Sequence, residues 1–201
     1  MNEFFIESIL AKGYCLIDNF LPQETYLKLI EVIKNIEVNG WARKAKIGPQ
    51  NMAQRNTTIR SDSIFWLEEN SGIDEIQNYF AKIEELKKLL NKNFYLGLSD
   101  FEAHFAIYQP GSFYKKHVDQ FANKKDRVIS CVYYLNEDWH ADFGGNLQLY
   151  NANDEVIEVI SPQGNRFVCF ESHLPHEVTT ANHVRYSIAT WLKKHSINPI
   201  L

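Results

Sequence analysis

The chain has 201 residues, 45% hydrophobic and 13% aromatic, enough to build a core and too apolar for a disordered segment. Its formal net charge of -4 gives no general reason to expect nucleic-acid or membrane binding. Three cysteines, Cys15, Cys131 and Cys169, are odd in number and lack metal-type spacing, so they read as reduced thiols of a cytoplasmic protein.

The first stretch, Met1 to Leu10, has no basic n-region, and Glu7 interrupts its apolar residues, so neither a signal peptide nor a membrane span is expected. Phe5, Ile6, Ile9 and Leu10 fall at helical spacing and predict a short amphipathic helix over 2–11. Gly13 to Leu21 reads as a strand closed by a turn. Pro22 suits the first position of a helix that carries Leu27, Ile30, Ile33 and Ile36 and ends near Val38, before Asn39-Gly40.

From Trp41 to Thr58 the apolar pattern lapses. Arg43, Lys44, Lys46 and Arg55 surround Gly48-Pro49, and the composition predicts a long exposed loop of the kind that serves as a lid or binding loop. Order returns with a strand over Thr58–Trp66 and an amphipathic helix from about Ile73 to Asn91, with Ile76, Phe80, Ile83, Leu86 and Leu90 on its core side.

From Phe101 the chain is β-rich. Strands are predicted over 102–108, 127–135, 146–150, 155–160, 166–170, 176–180 and 185–191, short, β-branched or aromatic, and separated by Gly, Pro, Asn and Asp. The fold class is therefore α+β, mainly β: a double-stranded β-helix, or jelly roll, over about 101–192, braced by helices within about 1–100, in one domain.

Chemistry concentrates after the Pro110-Gly111 turn. His117 and Asp119 are two apart in an extended run and project to one side, an imidazole and a carboxylate of the kind that hold non-haem Fe(II) together with one further His. His104, His140 and His195 have no partner motif. His173 precedes a Leu-Pro break and His183 lies in a turn, whereas His176 begins an extended run and is the best placed. Arg185 opens the final strand with Ser187, Ala189 and Trp191 on its face. A guanidinium on an inward face calls for an anion, either an internal Asp or Glu or the carboxylate of a cosubstrate.

In this order, His-x-Asp, distal His and Arg, the sequence resembles the iron- and 2-oxoglutarate-dependent dioxygenases, and more narrowly the prolyl 4-hydroxylases of the hypoxia-sensing type and their bacterial relatives. The resemblance is carried by Ile59 to Trp66, Tyr108 to Gly111, Tyr114 to Asp119, Cys131 to Trp139, Gly144 to Leu147, Pro175 to Val178 and Arg185 to Trp191. The charged segment Gln120 to Asp126 differs from the Pro/Gly-rich form in animal oxygen sensors, and no sensing role is carried over.

The resemblance implies Fe(II) on His117, Asp119 and His176, and 2-oxoglutarate chelating the metal, its far carboxylate on Arg185 and the Tyr134 hydroxyl. Tyr108 would lie over the cosubstrate. Tyr114 and Trp191 would line the substrate side, with Arg60, Asp62 and the 41–58 loop closing over a proline-containing protein or peptide. O2 would be the second cosubstrate and ascorbate an optional accessory. The implied reaction hydroxylates prolyl C-4 and releases succinate and CO2. Three other readings compete with it: an oxygenase of a free amino acid or other small molecule, a non-catalytic metal-binding jelly roll, and a zinc hydrolase on the same ligands. No general base is identifiable for the hydrolase, and it leaves Arg185 unexplained.

Overall fold

The structure is a computed structural model and describes residues 2–45, 56–120 and 125–195. In chain order the elements are α1 (Asn2–Lys12), β1 (Tyr14–Ile17), α2 (Gln23–Val38), β2 (Arg43–Lys44), β3 (Ser63–Leu67), α3 (Asp74–Phe94), β4 (Leu98–Tyr108), β5 (Tyr114–His117), β6 (Arg127–Tyr134), β7 (Leu147–Tyr150), β8 (Val156–Ile160), β9 (Phe167–Glu171), β10 (His176–Val178) and β11 (Arg185–Lys194). Two antiparallel sheets result, a seven-stranded one in the order β1-β9-β6-β11-β4-β3-β2 and a four-stranded one in the order β5-β10-β7-β8. This is the jelly roll that the alternating pattern predicts, with helices on one outer face.

Strand alternation divides the large sheet into two surfaces with different tasks. Phe105 and Ile107 of β4, Cys131 and Tyr133 of β6, Phe167 and Cys169 of β9, and Ile188 and Leu192 of β11 pack against the helices, meeting Leu29, Ile33, Tyr79, Ile83 and Leu86. The intervening residues, among them Ala106, Tyr108, Tyr134, Val168 and Phe170, face the small sheet and meet Leu147, Leu149 and Val178. The helix side is thus a closed hydrophobic core. The side between the sheets is where polar groups gather.

Several local expectations change. Leu10 is 71% and Leu27 41% exposed, because the buried stripes run through Phe5 and Ile9 in α1 and through Tyr26, Leu29, Ile30, Ile33 and Ile36 in α2. Pro22 is the N-cap, not the first helical residue: its ψ of 141° is extended while its carbonyl already accepts the Tyr26 N–H. Arg43 and Lys44 form a short edge strand paired with Ile64 and Ser63, so the predicted loop begins as sheet, and its residues 46–55 lie outside the described ones. The strand predicted from Thr58 begins only at Ser63. Helix α3 runs to Phe94 and stops where Tyr95 turns left-handed, φ 53°.

Candidate active site

The site forms where the two sheets face each other. Strand pairing sets His176 of β10 directly opposite His117 of β5, and the chain turns at Val118 to bring Asp119 beneath both. The ligand atoms of these three side chains lie within 4.8 Å of one another. Asp119 Oδ1 is 3.6 Å from His117 Nε2, and its Oδ2 is 3.4 Å from His176 Nε2.

The two imidazoles are held alike. His117 Nδ1 is 2.7 Å from the Lys115 carbonyl oxygen and His176 Nδ1 is 2.8 Å from that of Leu174. A carbonyl can only accept, so each Nδ1 carries a hydrogen, and in the neutral ring each Nε2 then presents a lone pair inward. The charges follow the same geometry. Burial and the neighbouring His176 push His117 below the ordinary imidazole value. At His176 burial acts downward too, but Asp119 outweighs it and the value rises. Burial would raise Asp119, and the two imidazoles overcome it to hold the carboxyl well below its usual range. With both imidazoles in the neutral form that a metal requires, two Nε2 donors and a carboxylate oxygen on one face, with open space before them, match the donor set of non-haem Fe(II) centres.

Deeper between the sheets lies Arg185, 1% exposed. Its Nε donates to the Gly145 carbonyl at 2.9 Å and its Nη1 to Ser187 Oγ at 3.1 Å. The guanidinium lies 4.7 Å from the Tyr108 ring centre and 5.0 Å from that of Tyr134. Among the described residues, no carboxylate comes within salt-bridge distance of it, so the internal Asp or Glu partner weighed from sequence is not there. Beside it the buried Tyr134 hydroxyl has no hydrogen-bond partner among the described residues. A buried cation without an anion next to an orphaned hydroxyl is a costly arrangement in a dry core and a suitable one for a bound carboxylate. Gly145 has φ 62°, and a Cβ there would stand 3.0 Å from Arg185 Cδ, which gives the Gly144-Gly145 pair its place in the floor.

An open cleft of about 1420 Å³ joins these parts. Arg185, Ser187, Ala189 and Trp191 follow one another along its β11 wall, and His117, Asp119 and His176 stand across from them. Tyr114 stacks on the His117 ring at 3.5 Å between ring centres, and the Arg60 guanidinium lies over the other side of Tyr114 at 4.4 Å. Arg60 lines the cleft, but Asp62 does not: it is 1% exposed and holds Arg60 by two hydrogen bonds, 2.8 and 2.6 Å. Trp191 is covered by the Arg127 guanidinium at 3.8 Å and touches His104, which is buried and packed between Trp66 and Trp191. His173, by contrast, has a 65% exposed side chain near Glu171.

Two residues near the metal-type cluster went unnoticed as sequence: Ser130, whose hydroxyl reaches Asp119 at 2.7 Å, and Ser172, 2.9 Å from Ser130. The available signal was a hydroxyl on the inward face of β6, two residues from Val132.

Comparison with known proteins agrees with this geometry. The model of the 2OG-Fe(II) oxygenase superfamily matches residues 103–193. The mouse prolyl hydroxylase EGLN3 is 28% identical over 196 residues, covering 94% of this chain and 82% of its own. Among solved structures, a Pseudomonas putida prolyl-4-hydroxylase is 30% identical with a TM-score of 0.85, covering 95% of this chain and 97% of its own. A Trichoplax adhaerens prolyl hydroxylase, solved in complex with a hypoxia inducible factor peptide fragment, is 25% identical with a TM-score of 0.87, covering 95% and 88%. The chain therefore belongs to the 2OG-Fe(II) oxygenase superfamily, in the branch of the prolyl hydroxylases, and is an oxygenase dependent on Fe(II) and 2-oxoglutarate.

Proposed function

We propose that this protein hydroxylates C-4 of prolyl residues in a protein or peptide, with His117, Asp119 and His176 holding Fe(II) and Arg185 anchoring 2-oxoglutarate. The carrying observation is the buried Arg185 guanidinium, without a carboxylate partner among the described residues and beside the orphaned Tyr134 hydroxyl, at the floor of the cleft that the three ligand residues border. When bound, the metal and cosubstrate supply the oxidation itself: 2-oxoglutarate is decarboxylated to succinate as O2 is consumed and one oxygen atom enters the substrate.

The residues do the positioning. Arg185 and Tyr134 take the far carboxylate of the cosubstrate, the first through charge-assisted hydrogen bonds and the second by donating its hydroxyl. Ser187 and Ala189 are small and leave its carbon chain room. Tyr108 closes the cosubstrate from above, and its burial keeps bulk water away. Tyr114 and Trp191 form the walls that a prolyl ring meets, with Arg60 on the outer side, held in place by Asp62.

The size and shape of the cleft support a peptide over a small metabolite. Its volume of about 1420 Å³ exceeds the roughly 300–1,000 Å³ usual for small-molecule pockets. It also opens past Trp41 and Trp66, which are 58% and 43% exposed. The names of its relatives, prolyl hydroxylases in animals and bacteria, support the same substrate class. The test is turnover of 2-oxoglutarate with proline-containing proteins and peptides. Mass spectrometry should find one added oxygen on a prolyl residue for each succinate formed. Stoichiometric oxidation of a free amino acid, with peptides untouched, would replace this reading by the small-molecule one.

A further inference from the structure

Behind Asp119 is a pair of buried hydroxyls that the reaction does not touch. Ser130 is 1% and Ser172 0% exposed. Ser130 Oγ is 2.7 Å from Asp119 Oδ2 and 2.9 Å from Ser172 Oγ. Ser130 Oγ is the donor to Asp119 Oδ2, so the single hydroxyl hydrogen of Ser130 is spent on that carboxylate. The Ser130 oxygen is then free to accept, and the Ser172 hydroxyl donates to it. Direction is thus fixed along the whole chain, Ser172 to Ser130 to Asp119.

The same loop grips the backbone. The Ser172 carbonyl accepts the N–H groups of both Asp119 and Gln120 at 3.1 Å, and Ser172 N–H donates to the Val128 carbonyl on β6. Ser130 is itself fixed by strand pairing to Phe170 on one side and Trp191 on the other. Asp119 lies just past the end of β5, and the strand's own contact with its carboxylate is the long 3.6 Å approach of His117 Nε2, which leaves the rotation to be fixed from elsewhere. The hydroxyl pair supplies that constraint from the opposite sheet.

We infer that Ser130, oriented by Ser172, is a positioning residue for the metal: its hydroxyl holds Oδ2 of Asp119 and so fixes the rotation of the carboxylate that faces the two Nε2 atoms. The inference rests on the assignment of His117, Asp119 and His176 as ligands. Outer hydrogen-bond partners of metal ligands are worth about 10- to 100-fold in metal affinity, and a hydroxyl lost from a buried carboxylate belongs in that range.

The experiment is titration of the metal-free full chain with Mn(II) under argon, free Mn(II) being read by electron paramagnetic resonance. Ser130→Ala should raise the dissociation constant about 10- to 100-fold. Ser130→Thr, which keeps the hydroxyl, should bring it back towards the starting value, and Ser172→Ala should raise it less than Ser130→Ala. Thermal unfolding of the metal-free proteins accompanies each titration, because a purely structural role would lower the midpoint and leave the dissociation constant in place. A folded Ser130→Ala protein that binds Mn(II) as tightly as the parent overturns the inference. Should that variant fail to fold, an unchanged constant in Ser172→Ala overturns it instead. Failure of the parent chain to bind Mn(II), or binding that survives His176→Ala, would count against the ligand assignment and not against the hydroxyl pair alone.

Discussion

His117 and His176 are cross-strand partners, and each spends its Nδ1 hydrogen on the carbonyl oxygen two residues before it in the chain. Their rings lie 4.3 Å apart at 57°, so the free nitrogens converge without stacking. Loss of either imidazole leaves a carboxylate and one nitrogen, too few donors for tight binding of a divalent ion. His176→Ala should abolish Fe(II)-dependent turnover and weaken Mn(II) binding by more than about 100-fold, beyond the usual cost of an outer partner. His173→Ala, on an exposed side chain near Glu171, should change neither. Turnover assays and metal titration of the two variants check this, and the reverse result would move the ligand to His173.

Arg185 and Tyr134 should separate in stability and binding. Arg185→Ala strands the cosubstrate carboxylate in a buried site, a loss of about 3–5 kcal/mol, or more than about 100-fold in affinity. Tyr134→Phe removes a hydroxyl that has no hydrogen-bond partner among the described residues. It should leave that protein as stable or about 1 kcal/mol more so, while weakening 2-oxoglutarate by about 1 kcal/mol or slightly more. Calorimetric titration of 2-oxoglutarate into the Mn(II) form, beside urea unfolding of the apo form, gives both numbers. Equal 2-oxoglutarate affinity in parent and Arg185→Ala would remove this arginine from the site.

How much of this was legible depends on the range of each interaction. The inward face of β11 could be read from alternation alone, since Arg185, Ser187, Ala189 and Trp191 do share the cleft wall. The helix side of α3 could be read the same way, through Ile76, Phe80, Ile83, Leu86 and Leu90. Partners across the fold could not. Ser130 and Ser172 become meaningful only when β6, the end of β9 and the turn after β5 meet. The Arg43–Lys44 strand has no apolar alternation and exists because β3 offers it an edge. Arg60 and Asp62 stand two apart and the sequence alone suggests both for the substrate side, yet the carboxylate hydrogen-bonds the guanidinium.

That pairing has a measurable cost. Asp62 has a 0% and Arg60 a 10% exposed side chain. Burial disfavours the Arg60 charge, and Asp62 more than restores it. Asp62→Ala should therefore destabilise the protein by about 3–5 kcal/mol, because it leaves a buried guanidinium unpaired. Replacing both residues with apolar ones of similar size should recover much of that stability while leaving Tyr114 without its cover. Urea unfolding of the single and double variants decides it. A single variant within about 0.5 kcal/mol of the parent, the range of ordinary surface substitutions, would mean that the pair is solvated in solution.

His104 makes stability depend on pH. Burial, reinforced by the Arg60 charge, pushes its imidazole from 6.5 down to about 4. In the folded protein it stays neutral between Trp66 and Trp191, with Nδ1 3.1 Å from the Phe105 carbonyl oxygen. The unfolded chain takes up a proton on this residue as the pH falls through about 6.5, and the folded chain does so only near 4. Its contribution is therefore complete above pH 6.5 and is lost progressively between 6.5 and 4, by up to about 3 kcal/mol. Urea unfolding at intervals across that range should show a steeper decline for the parent than for His104→Gln, which has no proton to gain. Below pH 4 the two should fall in parallel as carboxylates such as Asp119 protonate. Parallel curves between 6.5 and 4 as well would show that His104 takes up its proton in the folded state, so that its place between the two indoles is open to water.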